Sequence, residues 1–145
     1  PCNMFVAGFM GSPQMNFIDV TIDRAEDGTY LVFGNERVLL PEGKAKALAD
    51  SGFTGTEAVM GIRPENIHDE AVMMGISPEC MVSAHVDVTE MMGAETYLYF
   101  KVEGVNFTAR VNPRTTAKHG EQIKVAFDAN KIHLFDKETE NFIIH

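Results

Sequence analysis

The chain has 145 residues, 45% of them apolar and 23% charged, with a formal net charge of −9, a size that suits one compact domain or two small barrels sharing a core. The acidic balance argues against a nucleic-acid binder, whose affinity rests on Lys and Arg neutralising phosphates, and it would be repelled by an anionic membrane surface. Cys2 and Cys80 are too few and too isolated for a disulfide framework or a zinc site, which fits a reducing cytosol.

The apolar stretches fall well short of the roughly 20 residues that cross a bilayer, and no secretory leader is read at the start. In chain order, Asn3 to Gly11 reads as a short helix, with Phe5 and Phe9 at helical spacing and Gly11-Ser12-Pro13 as its stop. Its stripe has no charged opposite side, so the segment is expected to be buried. From Phe17 the pattern changes to period two. Phe17–Asp23, Tyr30–Phe33 and Arg37–Leu40, parted by Glu26-Asp27-Gly28 and Gly34-Asn35, describe an antiparallel meander. One helix interrupts it: Pro41 is placed in the first turn, Lys44–Ala49 are mostly good helix formers, and Gly52 stops it.

Glu57–Ile62 is the next strand, closed by Arg63-Pro64-Glu65, and His68 to Glu79 reads as a connection with little regular structure. In Met81–Thr89, Val82, Ala84, Val86 and Val88 alternate with Ser83, His85, Asp87 and Thr89, which predicts one buried and one wet face. Glu95–Val102 follows Gly93, Asn106–Val111 follows Gly104, and Gln122–Phe127, Lys131–Phe135 and Phe142–Ile144 complete the set. Short strands at near-regular spacing with one helix among them predict small barrels of the OB type.

Chemistry is harder to find. Gly43-Lys44 lacks the glycine five residues earlier and the following Ser or Thr of a phosphate loop, since Val38 and Ala45 hold those places. His68, His85, His119, His133 and His145 show no ligand spacing and read as surface imidazoles. Serine and cysteine nucleophile signatures are missing. Asp87, Glu90 and Glu95 read as solvated strand ends. Tyr97, Tyr99 and Lys101 share a strand face in acidic surroundings, which speaks against a single-strand-binding platform. Arg63 and Glu65 flank Pro64 at a strand exit. Either they are a contact between domains, or the proline fixes a turn and the two charges tie neighbouring loops.

Five stretches, in order, carry a resemblance. Phe5-Val-Ala-Gly-Phe-Met-Gly-Ser-Pro-Gln-Met-Asn-Phe17 resembles the segment that joins the nucleotide-binding domain to the C-terminal regulatory domain in ATP-binding subunits of carbohydrate ABC importers, the maltose and multiple-sugar transporter ATPases. Met60-Gly-Ile-Arg-Pro-Glu65 is similar to the family's Gly-x-Arg-Pro-Glu signature, and Val88-Thr-Glu-Met-Met-Gly-Ala-Glu-Thr96 to its strand–Gly–x–Glu element. Phe107-Thr-Ala-Arg-Val-Asn-Pro-Arg114 and Asn130-Lys-Ile-His-Leu-Phe-Asp136 are similar to the closing strands.

The resemblance implies a mainly β fold of OB-like (TOBE/MOP-like) barrels. Residues 1–12 would be a helix left from the nucleotide-binding domain and residues 13–145 the regulatory domain. It implies a chain without catalysis that dimerises with its twin, in a whole protein that binds ATP and magnesium. That protein would sit on the cytoplasmic face of the membrane against permease subunits and could be held by a phosphotransferase-type regulatory protein. Nucleic acid is not an expected partner. Gly61, Arg63, Pro64, Glu65, Gly93 and Glu95 are the residues it assigns to domain architecture and dimer contacts. A second reading is a small-oxyanion module, because related barrels bind molybdate. Its one candidate nest is Arg114-Thr115-Thr116-Ala117-Lys118.

Overall fold

A computed structural model describes residues 14–69, 78–113, 115 and 117–145. The helix expected at Asn3–Gly11, and with it the boundary at residue 12, lies outside the described residues.

Strands run β1 (Asn16–Ala25), β2 (Gly28–Phe33), β3 (Glu36–Leu39), β4 (Glu57–Ile62), β5 (Ile67–His68), β6 (Met81–Met92), β7 (Glu95–Val102), β8 (Val105–Val111), β9 (Gln122–Phe127), β10 (His133–Asp136) and β11 (Phe142–Ile144). The helix α1 (Glu42–Asp50) joins β3 to β4. One antiparallel sheet has the order β11-β10-β4-β1-β2-β3, and the other β5-β9-β6-β7-β8. The fold is therefore mainly β, of the OB-like barrel type expected.

Both sheets turn their apolar face to one core. Ile18, Val20 and Ile22 alternate inward along β1, and Leu98, Phe100 and Val102 do so along β7, as a half-buried pleat requires. One ring pair joins the sheets: Phe33 of β2 stacks on Phe127 of β9 with centroids 6.4 Å apart, and within the second sheet Phe107 of β8 stacks on Phe127 at 5.7 Å. A smaller cluster on the outer side of the first sheet holds Met15, Val59 and Phe135, with Phe17 and Phe142 against it.

The meander and the later hairpins follow the sequence pattern closely. Three details differ. Pro41 caps α1 instead of lying within its first turn, and its carbonyl accepts from the Ala45 N–H at 2.9 Å. After β4, Pro64–Asn66 is a 3-10 turn. Of the connection expected over His68–Glu79, residues 70–77 lie outside the described residues, while His68 ends β5, which pairs Ile67 with Phe127, and Pro78–Cys80 is a second 3-10 turn.

The third difference concerns Val88, which the alternation placed inside and which is 51% exposed. The cause is a bulge in β6. Val86 faces Phe100, but Val88 faces Tyr99, so Asp87 is one residue too many and every later side chain changes face. The loop beyond Lys118 fixes the spot: Gly120 N–H donates to the Val86 carbonyl and Val86 N–H donates to that of Glu121, both at 2.8 Å.

Candidate interaction surface

β6 and β7 form a long hairpin that ends at Gly93-Ala94, with Met92 opposite Glu95. Gly93 has φ 65° while Ala94 does not share the positive sign, the pattern of a two-residue turn that needs glycine first. Beyond the bulge, Val88, Glu90 and Met92 lie on the same face as Tyr99, Tyr97 and Glu95. Val88 and Met92 are about half exposed, at 51% and 50%, and Met91, on the opposite face, is 75% exposed. Large apolar side chains in the open are the unusual feature here, because three of them fall within one turn-proximal stretch.

Polar groups frame that patch. The Tyr99 hydroxyl donates to Glu90 at 2.9 Å, and the Tyr97 hydroxyl donates to Glu95 at 3.1 Å. Arg110 on β8 pairs with the same Glu95 at 3.4 Å, and Lys101 donates to Asp87 at 2.7 Å. The Lys101 bond holds the Asp87 carboxyl below its ordinary range. Loss of solvent raises the Tyr97 hydroxyl pKa, and the bond and charge of Glu95 add to it, with a further push from Glu65.

Glu65 therefore belongs to this face. The turn Pro64–Asn66 packs on β8, which brings the Arg-Pro-Glu stretch beside the Glu95–Arg110 pair. Pro64 is buried at the start of that turn. The positive charge of Arg63 acts on His133. Among the described residues neither Arg63 nor Glu65 forms an ion pair. Gly61 sits in β4, where an added Cβ would lie 2.6 Å from Met15 Sδ and 2.9 Å from Phe135 Cε2. Its role is packing. Glu65 and Glu95 thus both act on Tyr97, whereas Gly61 packs against Met15 and Phe135 and the charge of Arg63 acts on His133.

Two residues escaped sequence reasoning. Asn16 is 8% exposed and stitches the sheets together. Its Nδ2 donates to the Ile62 carbonyl at 3.1 Å and to that of Thr108 at 2.8 Å, while its Oδ1 accepts from the Thr108 N–H at 2.8 Å. A single asparagine at a strand start carries no pattern that would announce this. His133 was read as a surface imidazole but is half-buried, with its Nδ1 lacking a hydrogen-bond partner. Burial, then the charges of Lys44, Arg63 and His145, lower its pKa to about 4.

The described residues offer little for chemistry. Gly43 and Lys44 lie within α1, where the Lys44 ammonium donates to the His145 carbonyl, so the pair forms no nucleotide cradle. At the loop of the oxyanion reading, Thr115 donates to Asp69 and the Lys118 N–H donates to Glu121 at 2.7 Å. Arg114 and Thr116 lie outside the described residues. Among the described residues no group of three or more His, Cys, Asp or Glu is placed to hold a metal ion.

Two antiparallel sheets packed on one core, with a short helix between the third and fourth strands, define a domain of the OB-type barrel class. Residues 11–67 match the MalK OB fold domain and residues 60–135 the TOBE domain, and the chain belongs to this family. It is 40% identical over 140 residues to the oligosaccharides import ATP-binding protein MsmX of Bacillus subtilis, which covers 97% of this chain and 37% of that protein. It is 41% identical to the multiple sugar-binding transport ATP-binding protein MsmK of Streptococcus mutans, over 97% of this chain and 36% of that one. The trehalose/maltose import ATP-binding protein MalK of Thermococcus litoralis is 38% identical, over 96% and 37%. The chain thus spans a little over a third of the length of the curated relatives it matches. Its fold is also that of the molybdate-bound cytoplasmic protein ModG, with a TM-score of 0.60, 14% identity, and coverage of 82% of this chain and 94% of that one. No helix among the described residues is long and apolar enough to cross a membrane.

Proposed function

We propose that this chain is the regulatory and dimerisation domain of the ATP-binding subunit of a carbohydrate ABC importer. The observation that carries the reading is the match, at about 40% identity over 97% of the chain, to sugar-import ATP-binding proteins. The whole protein would hydrolyse ATP with magnesium through a separate nucleotide-binding domain and drive permease subunits from the cytoplasmic face of the membrane. This chain would contribute no catalytic step.

Its work would be mechanical. Twin domains held together keep two ATPase domains in register while they open and close. A phosphotransferase-type regulator that binds one arrangement better than the other shifts the population, and thereby the rate of hydrolysis, by its difference in affinity. The outer face of the β6–β7 hairpin is the contact surface we assign to the twin. Val88 and Met92 supply the apolar centre, Tyr97 and Tyr99 extend it, and Glu90, Glu95 and Arg110 form the polar rim. Stable interfaces bury about 800 Å² per partner, more than this tip alone offers, so the isolated chain is expected to self-associate weakly, at about micromolar affinity or below.

The oxyanion reading is less well supported. The ModG likeness extends to fold alone, and the donors described near Thr115 and Lys118 already face the carboxylates of Asp69 and Glu121.

Sedimentation velocity over a concentration series tests the assignment. The chain should shift toward a dimer as concentration rises, and the double variant Val88→Glu, Met92→Glu should stay monomeric while Met91→Glu still associates. A chain that remains monomeric at millimolar concentration, or a double variant that dimerises undiminished, overturns it. The importer assignment itself is tested on the gene. A reading frame continuing upstream of Pro1 into Gly-x-x-x-x-Gly-Lys-Ser/Thr is expected, and an in-frame stop codon ahead of Pro1 with no such motif between refutes it.

A further inference from the structure

β1 has unequal neighbours. β4 pairs with it from Asn16 to Thr21 on one side, whereas β2 pairs on the other only from Thr21 to Ala25. β2 ends at Phe33 and turns away at Gly34, and the next strand to meet β1 is β8, held at Thr108 by Asn16. Among the described residues no strand pairs with residues 17–20 on that side. A cleft of about 430 Å³ lies there. Phe17, Phe33, Val59 and Val105 give it apolar walls, and Asp19 and Glu103 stand in its lining.

Alternate backbone groups of a strand point to alternate sides. Those of residues 17–20 that do not serve β4 point into this gap, beside an apolar wall. Both charged side chains of the cleft are carboxylates, on a chain whose net charge is −9. Their present partners are replaceable. Asp19 meets Lys137 at 3.5 Å on the exposed surface, where such pairs contribute little. Glu103 accepts from the Asn35 N–H through Oε1, on the exposed surface.

We infer that the cleft is a docking groove for an extended segment of a partner protein, three or four residues long, with alternating apolar and Lys or Arg side chains. The segment adds a short strand to β1, its apolar side chain enters between Phe33 and Val105, and its cation meets Asp19 and Glu103. This surface is separate from the β6–β7 hairpin face, so the inference does not depend on the dimer assignment.

The probe is a fluorescein-labelled hexapeptide of alternating valine and lysine, with alternating valine and glutamate as control, read by anisotropy on the whole chain and mapped by amide chemical shifts. The lysine peptide should bind, shift the amides of residues 17–20 and Val105, and weaken as salt is raised. The double variant Asp19→Asn, Glu103→Gln, which keeps the side-chain oxygen that Asn35 needs, should weaken binding roughly fivefold to tenfold. It should leave the backbone spectrum otherwise unchanged. Absence of binding at millimolar peptide, equal binding of the glutamate control, unaltered affinity in the double variant, or shifts confined to residues 88–92 would each overturn the inference.

Discussion

Replacing Asn16 with leucine removes a buried side chain that hydrogen-bonds to both sheets. Three hydrogen bonds go with it: to the Ile62 carbonyl at 3.1 Å, and to the carbonyl and N–H of Thr108 at 2.8 Å each. The first is buried, and its loss leaves an acceptor unsatisfied at about 1.5 kcal/mol. The other two are part-buried, so water can replace the lost partner in part and each costs about half as much. Together the variant should lose about 3 kcal/mol, which is a urea midpoint lower by about 1.5 M at an m-value of about 2 kcal/mol/M.

The variant Asn16→Asp sharpens the test. Its carboxylate could still accept from Thr108 N–H but would face two carbonyl oxygens, so its charged form is disfavoured and its folded-state pKa rises. The variant's stability is then retained below the ordinary Asp range and lost as pH rises from there through the raised folded-state pKa, the reverse of the usual salt-bridged aspartate. Far-UV circular dichroism in urea, at pH 4.5 and 7.5, reads both effects. A leucine variant within about 0.5 kcal/mol of the parent, or an aspartate variant whose deficit does not grow with pH, would refute the claim that Asn16 joins the sheets.

Gly61→Ala should cost about 1–3 kcal/mol in the same assay, because the new methyl would press on Phe135, which is fully buried and has nowhere to move. His133 gives a pH dependence. Its pKa is lowered from 6.5 to about 4 in the folded chain, so the unfolded chain takes up the proton first and stability falls as pH drops from 6.5 toward 4. The shift corresponds to about 3 kcal/mol, discounted for partial exposure to about 1–2 kcal/mol. The difference in urea midpoint between the parent and His133→Phe should follow that pH window. A difference that stays flat across it would show that His133 keeps its ordinary affinity for protons.

The surface residues illustrate how far a local pattern reaches. The alternation in β6 correctly placed Val82, Ala84 and Val86 inside. It failed at Val88, since a bulge adds a residue without changing the local pattern of Val86-Asp87-Val88, and the clasp that holds it comes from Gly120 and Glu121. The motif residues tell the same story. Arg63, Pro64 and Glu65 are adjacent in the chain, yet Glu65 joins the face of Tyr97 and Glu95 while Arg63 acts on His133.

By itself the sequence determined roughly where most of the strands lie, though it missed β5 and the extension of β6 to Met92, and that they would pair antiparallel in an OB-like barrel. Period-two hydrophobicity and turn residues are local signals, and strand formation answers to them directly. Tertiary structure alone decided that β10 returns to pair with β4, that β1 leaves β2 to be joined to β8 by Asn16, and that Val88 and Met92 face outward. Those outcomes depend on contacts between residues far apart in the chain. Their free energy comes from shared burial and satisfied backbone groups, and no stretch of neighbouring residues records it.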